Sequence, residues 1–344
     1  MKAARSARAA AILTIVAVLA ACSQGEDQER SRRLRARSAA TAPSVEPRTV
    51  YAGSPSLPPL ATESDPFAYD AAAPLNPTET PLGGTRTYTT TAITYQTYDG
   101  TVPGLFYAPP TPGPFPCVIS VHGVTSNKGS STGLRDLILP AGYAMLTIDA
   151  RFHGDRGTPE QFFDLQNYPG RVRELFQGSV VDLRRALDYL QQRSDCAPGK
   201  LGVIGTSMGG FMAAALAGAD DRVQAPVLLF SGADWRVWFS TGHPGVVGIF
   251  YQVGNPESFE AVVAALEPLD PAKWVGKVAP RPVLMVHGDF DDAVPPASAQ
   301  ALYDAALDPK SMLWYSGGHG PGAAESGRIG FTLVGWLDQH LKTP

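Results

Sequence analysis

Leu201-Gly202-Val203-Ile204-Gly205-Thr206-Ser207-Met208-Gly209-Gly210-Phe211-Met212-Ala213-Ala214-Ala215-Leu216-Ala217 is the stretch on which the reading of this chain turns. Its first four residues have the continuous apolar character of a strand buried on both faces. Gly205–Gly209 then matches G-x-S-x-G, and the Ala-rich run from Met208 to Ala217 reads as a helix. A strand that turns sharply into a helix holds the serine hydroxyl proud of the sheet, and the two glycines let strand and helix approach closely. The helix start aims its positive end at an oxygen that becomes anionic above it. The competing reading is a glycine-rich turn with a surface serine, and the flanking strand and helix argue against it.

Working outward, strands and helices alternate. Arg86–Gln96 alternates like a strand and is followed across Asp99-Gly100, a hairpin turn, by Val102–Ala108. Apolar runs at Phe115–Val121 and Tyr143–Ile148 read as buried strands, with a helix at Gly133–Ala141 between them. Ser179–Gln191 carries Val180, Leu183, Ala186, Leu187 and Leu190 at helical spacing. Beyond the serine come strands at Pro226–Phe230, Pro282–Val286 and Met312–Tyr315, and helices at Ala297–Ala306 and Ala323–Leu341. The expectation is an α/β fold with a mostly parallel eight-stranded sheet and helices on both faces, over residues 85–344.

A serine hydroxyl is a poor nucleophile until an oriented base takes its proton. Six histidines are present, and Ser316-Gly317-Gly318-His319-Gly320 sets one on a glycine loop after the last strand. Between Ser207 and His319 lies His287-Gly288-Asp289-Phe290-Asp291-Asp292-Ala293-Val294-Pro295, again directly after a strand. Serine, acid, histidine is the chain order this fold requires.

With three post-strand loops carrying three roles in that order, residues 86–341 resemble the α/β-hydrolase superfamily. The likeness is to serine esterases related to dienelactone hydrolases and to the catalytic domain of prolyl oligopeptidases. In that group the acid opens D-x-x-V-P after H-G-x-x, which selects Asp291, with Asp289 and Asp292 as alternates that read as turn-forming carboxylates. The resemblance also assigns the oxyanion hole to the backbone N–H groups of Val124, in His122-Gly123-Val124, and of Met208. His122 reads as a loop brace, and Lys128 matches the H-G-x-x-x-x-K loops of acyl esterases or is a solvated charge. Asp149-Ala150-Arg151-Phe152-His153-Gly154 resembles D-x-R-G-H-G, with Phe152 where the family often has glycine. Arg151 and His153 read as loop-fixing.

The segment between Phe230 and Pro282 exceeds a simple crossover and implies a small helical cap at about 233–270. Its Trp235 and Trp238 are expected nearest the pocket, as binders of an acyl or aryl group. The implied activity is cleavage of a carboxylic ester of small-to-medium acyl size through an acyl-enzyme, with a small-molecule ester as partner and no metal or organic cofactor. A serine peptidase resembling prolyl oligopeptidases is the second enzymatic reading; residues 22–84 cannot fold into the large β-propeller those enzymes carry. A non-catalytic binder on the same fold is the third, and it would be signalled by a lost triad member.

The amino terminus reads as a targeting segment. Lys2, Arg5 and Arg8 precede an apolar run from Ala9 to Ala21, and Leu19-Ala20-Ala21-Cys22 resembles the lipobox of bacterial lipoproteins. That resemblance implies a signal peptide over residues 1–21, acylation of Cys22, and export with lipid anchoring to a bacterial cell membrane. Residues 22–84, basic at Arg30–Arg37 and then rich in Pro, Ser, Thr and Ala, are expected to form a disordered tether. A formal charge of −4 gives no electrostatic reason to expect nucleic acid. Cys117 and Cys196 are expected near one sheet end, as a disulfide or as two buried thiols.

Overall fold

The computed structural model describes residue 58 and residues 60–157, 161, 164 and 169–343. The signal segment, Cys22 and most of the tether lie outside these, so neither expectation meets the structure. By contacts the chain divides at Ser56/Leu57, and the body described below belongs to the second unit.

One nine-stranded sheet organises that body. Its strands are β1 (Thr78–Gly84), β2 (Thr89–Thr97), β3 (Gly100–Ala108), β4 (Phe115–Val121), β5 (Ala144–Ile148), β6 (Cys196–Thr206), β7 (Val223–Leu229), β8 (Val283–Gly288) and β9 (Lys310–Tyr315). They lie side by side as β1-β2-β3-β5-β4-β6-β7-β8-β9. The first three strands and the β3/β5 pair are antiparallel, and every pairing from β5 through β4 to β9 is parallel. Helices α1 (Thr132–Ile138) and α9 (Ala323–Leu337) cover one face, where Ile138, Ile329, Leu333 and Leu337 pack on Val118, Ile204, Val227 and Val286. The long α2 (Pro169–Gln192) and α3 (Met208–Ala219) pack together on the other. Between β7 and β8 four short helices, α4 (Trp235–Thr241), α5 (Pro244–Val247), α6 (Pro256–Leu266) and α7 (Pro271–Trp274), extend that layer, with α6 against α2 and α7 against α3. α8 (Pro296–Ala305) joins β8 to β9.

Two expectations need correction. The sheet has nine strands rather than eight, and the extra one lies inside the segment assigned to the tether. β1, TETPLGG, is exposed along its whole length, so no buried alternation marks it; it is a strand because its backbone pairs with the free edge of β2. The residues just before it are also anchored. Phe67 is fully buried, with its ring edge-on to Trp274 at 4.8 Å. The carbonyls of Pro66, Phe67 and Ala73 accept hydrogen bonds from Gln177, Arg184 and Arg185 of α2. A Pro/Ala-rich composition thus hides a strap, held by one aromatic plug and side chains of a helix more than a hundred residues away.

Cys117 of β4 and Cys196 of β6 form a disulfide, with Cα atoms 5.6 Å apart. It ties the strand leading to His122 to the strand leading to Ser207.

Candidate active site

The carboxyl ends of the parallel strands concentrate backbone strain. Thr125, Phe152, Ser207, Phe230 and Asp234 all have positive φ and follow β4, β5, β6 and β7. A non-glycine residue held there costs on the order of 1–3 kcal/mol and persists only where its surroundings fix it. Ser207, at φ 56° and ψ −123°, is the turn between β6 and α3. Close packing around it depends on absent side chains. A Cβ on Gly205 would lie 2.2 Å from the Gly209 carbonyl oxygen, and one on Gly209 would lie 2.2 Å from the Val121 oxygen.

Ser207, His319 and Asp291 come together across 112 and 28 residues of chain. His319 Nε2 is 2.8 Å from Ser207 Oγ, and its Nδ1 is 2.7 Å from Asp291 Oδ2. The carboxylate fixes the tautomer: Nδ1–H donates to it, and Nε2 is left to accept the serine proton. Asp291 is buried, and its other oxygen accepts from the amides of Ala293 and Val294. The two alternates do other work. Asp289 is exposed, and its Oδ1 accepts from Gly317 N, stitching the acid loop to the histidine loop. Asp292 is exposed, and its carbonyl accepts from His243 N.

The Gly123 segment stands over the serine. A Cβ on Gly123 would lie 3.4 Å from Ser207 Cβ, so bare backbone faces the nucleophile there. Met208, as the first residue of α3, has an amide with no partner inside the helix. His122 braces the loop as expected: Ala150 N–H donates to its Nε2, so Nδ1–H donates to the Gly123 carbonyl. Burial holds His122 below the ordinary histidine range, which keeps that tautomer neutral. Next to it, 5.1 Å between ring centroids, His153 is pushed down to about 3 by burial and by His122.

The same loops carry ion pairs. Lys128 Nζ bonds Asp149 at 2.6 Å and Asp155 at 2.7 Å, while Asp149 also accepts from the amides of Lys128 and Asp155. Lys128 is therefore not a solvated charge but a pin between two loops. Arg151 meets three carboxylates, Asp99 of the β2–β3 turn and Glu174 and Asp182 of α2. Burial raises Glu174 to about 7 despite the nearby guanidinium. Burial also acts on Asp182, but Arg151 and Arg156 outweigh it and hold that carboxyl below its ordinary range. Phe152 accommodates its family-atypical position by adopting φ 61°.

The assignment of Trp235 and Trp238 to substrate binding is corrected. Both are 2% exposed, and each indole N–H is consumed by a backbone carbonyl, Trp235 to Leu266 and Trp238 to Ala293. Their rings pack with Phe211 of α3, Phe239 and Phe250 in one aromatic cluster. An apolar residue near a strand end is as suited to packing a helix down as to lining a pocket, and here packing takes both. Trp238 nonetheless reaches the site indirectly, since Ala293 is one of the two amides holding Asp291.

Phe230 was not singled out from sequence. Its ring lies edge-on to His319, with centroids 6.0 Å apart. The one available signal was position, directly after the strand neighbouring the nucleophile strand.

Comparison with known proteins agrees with this geometry. The model of the prolyl oligopeptidase family, Peptidase_S9, matches residues 136–343. The chain belongs to that family. It is a hydrolase of the α/β-hydrolase superfamily. The Bacillus subtilis protein YtaP, whose name places it among hydrolases, is 33% identical over 210 residues, spanning 56% of this chain and 66% of YtaP. The acetyl xylan esterase of Paenibacillus sp. R4 superposes with a TM-score of 0.67 at 22% identity, covering 78% of this chain and 90% of its own. Acetyl xylan esterase 1 of Thermoanaerobacterium sp. JW/SL YS485 gives 0.66 at 19% identity, covering 83% and 96%. At such identities the structural likeness speaks to fold.

Proposed function

We propose that this hydrolase is a serine carboxylesterase acting on esters of small-to-medium acyl size through an acyl-enzyme intermediate. The unbroken hydrogen-bond line from Asp291 through His319 to Ser207 carries this reading. Ser207 Oγ attacks the ester carbonyl carbon while its proton passes to His319 Nε2. The carbonyl oxygen becomes an oxyanion facing the amides of Val124 and Met208, each such donor being worth roughly 3–4 kcal/mol in the transition state. Collapse breaks the carbon–oxygen bond to the alcohol, which leaves with the His319 proton. Water, deprotonated by the same imidazole, then releases the acid and restores the serine. The esterase names of the fold neighbours support this choice over peptide cleavage.

A p-nitrophenyl ester series from acetate to decanoate, run beside a proline-containing peptide p-nitroanilide, tests it. Turnover of the short esters with a pre-steady-state burst, and little turnover of the anilide, is expected. Faster cleavage of the anilide would make the protein a peptidase, and turnover of neither would leave a binding protein.

For location, we propose export and lipid anchoring at Cys22. The lipobox-like sequence supports this, and the Cys117–Cys196 disulfide suits an oxidising compartment. Cys22→Ala should move the protein from membrane to soluble fractions; unchanged membrane association would refute the anchor.

A further inference from the structure

His319 sits in permissive backbone. Gly317, Gly318 and Gly320 surround it, and glycine loses more conformational freedom on ordering than any other residue. A general base, however, must be held within tenths of an ångström of its hydrogen-bonding position, and a displacement of about 1 Å can cost a hundredfold in rate. The side-chain bonds to Asp291 and Ser207 orient the ring but do not explain what holds the loop once Ser207 is acylated and its hydroxyl proton is gone. Asp289 ties Gly317, and the two residues that flank the histidine directly need a restraint of their own.

The backbone is closed on both sides of the histidine by a single phenol. Tyr315, the last residue of β9, is 2% exposed. Its hydroxyl donates to the Gly318 carbonyl at 2.7 Å and accepts from Gly320 N–H at 3.0 Å. Gly320 N–H also reaches the Gly318 carbonyl, at 2.9 Å, so His319 is the central residue of a three-residue turn whose two ends meet at Tyr315 Oη. The phenol ring is itself fixed. A Cβ on Gly317 would lie 2.9 Å from Tyr315 Cε2, so the glycine lies directly on the ring. Phe230, held at φ 53°, stands edge-on to the Tyr315 ring at 5.8 Å and to the His319 ring at 6.0 Å. A strained aromatic wedged between the clamp and the base is the kind of outlier that persists at a functional site.

We infer that Tyr315 is a positioning residue of the catalytic base, its hydroxyl clamping the turn that carries His319 through both halves of the reaction, with Phe230 seating the clamp. This rests on the serine-hydrolase reading of Ser207, His319 and Asp291. Tyr315 touches neither substrate nor reacting atoms in this role. Its effect therefore falls on the rate of chemistry and leaves ester binding alone.

Tyr315→Phe removes one oxygen and keeps the ring. Steady-state hydrolysis of p-nitrophenyl acetate should drop about ten- to a hundredfold in kcat with KM within about twofold. Tyr143→Phe is the control, because it deletes a comparable hydroxyl, bonded to Asp338 at 2.7 Å beside α9, and should leave kcat at the wild-type value at a similar loss of melting temperature. If Tyr315→Phe matches Tyr143→Phe in kcat, or if its whole deficit lies in KM, the clamp is overturned. A Tyr315→Phe protein that fails to fold is replaced by Phe230→Leu, which takes away the ring standing edge-on to Tyr315 and His319 and should give the same kcat-selective deficit; full activity there overturns the proposal equally. Wild type inactive on every ester would instead refute the serine-esterase reading itself, which separates the two failures.

Discussion

Two sides of the same serine are built by different physics. On the oxyanion side, the loops after β4 and β5 are held by ion pairs: Lys128 between buried Asp149 and exposed Asp155, and Arg151 among Asp99, Glu174 and Asp182. On the acid–base side, the loops after β8 and β9 are held by amides, carbonyls and rings. Asp291 is caged by two N–H groups, Asp289 caps Gly317, and Trp238 reaches Ala293. Charged pins are strong while complete and costly when broken, because the surviving partner stays buried without its counter-ion. Single hydrogen bonds to backbone groups are worth less each, and losing one leaves no counter-ion buried behind it. The difference teaches that rigidity at an active site need not have one source, and that its two halves should fail differently.

The largest effect is expected where the charged side is cut. Asp149→Ala takes from Lys128 its buried partner, leaving exposed Asp155, and frees two amides; it should remove about 3–5 kcal/mol of stability in urea melts. Asp289→Ala, which deletes a single exposed cap on the acid–base side, should cost no more than about 1 kcal/mol. Equal losses would erase the distinction.

Next comes Glu174. Burial raises its carboxyl from the ordinary 4.5 to about 7, so the folded state binds this proton more tightly than the unfolded chain does. Stability contributed by the protonated form is then present below about 4.5 and lost as pH rises toward 7, the sign being that of a raised folded-state value. The groups facing it are Arg151, Tyr98, Asp99 and Asp182. With Glu174 neutral, two guanidinium groups, Arg151 and Arg156, balance two carboxylates, Asp99 and Asp182. Glu174→Gln should therefore gain on wild type by roughly 1–3 kcal/mol between pH 5 and pH 8. Thermal melts at the two values that show a constant gap would remove Glu174 as the source.

The smallest effect belongs to the cap. Trp238→Phe keeps an aromatic ring in the cluster but loses the bond to Ala293 and part of a buried indole. It should cost about 1–2 kcal/mol and lower kcat severalfold, while the acyl-chain profile stays unchanged. A shifted chain-length preference would return Trp238 to the substrate pocket.

These contrasts track how much the sequence could disclose. Ser207, His319, Asp291 and the His122-Gly123-Val124 loop were legible because chemistry fixes both their residue types and their place just after a strand. The sheet core was legible because burial on two faces enforces continuous apolar runs. β1 was not, because an exposed edge strand is made by its partner's unpaired backbone rather than by any pattern of its own. Phe67 and the strap were hidden by composition, which averages one decisive plug into many Pro, Ser, Thr and Ala neighbours. Trp235 and Trp238 were placed in the right layer and given the wrong task, since aromatic content cannot tell which face a ring presents. The partner that decides the matter for Trp238, the Ala293 carbonyl, lies 55 residues away.

Every inference about chemistry depends on Ser207 being a nucleophile that His319 activates. The most direct measurement is the rate at which a fluorophosphonate probe becomes covalently attached, with the modified residue identified by peptide mass spectrometry, in wild type, Ser207→Ala and His319→Ala. Single-site modification at Ser207 in wild type, none in Ser207→Ala, and labelling slowed by orders of magnitude in His319→Ala is the expected pattern. A wild-type protein that stays unmodified, or one labelled as quickly without the imidazole, would contradict it.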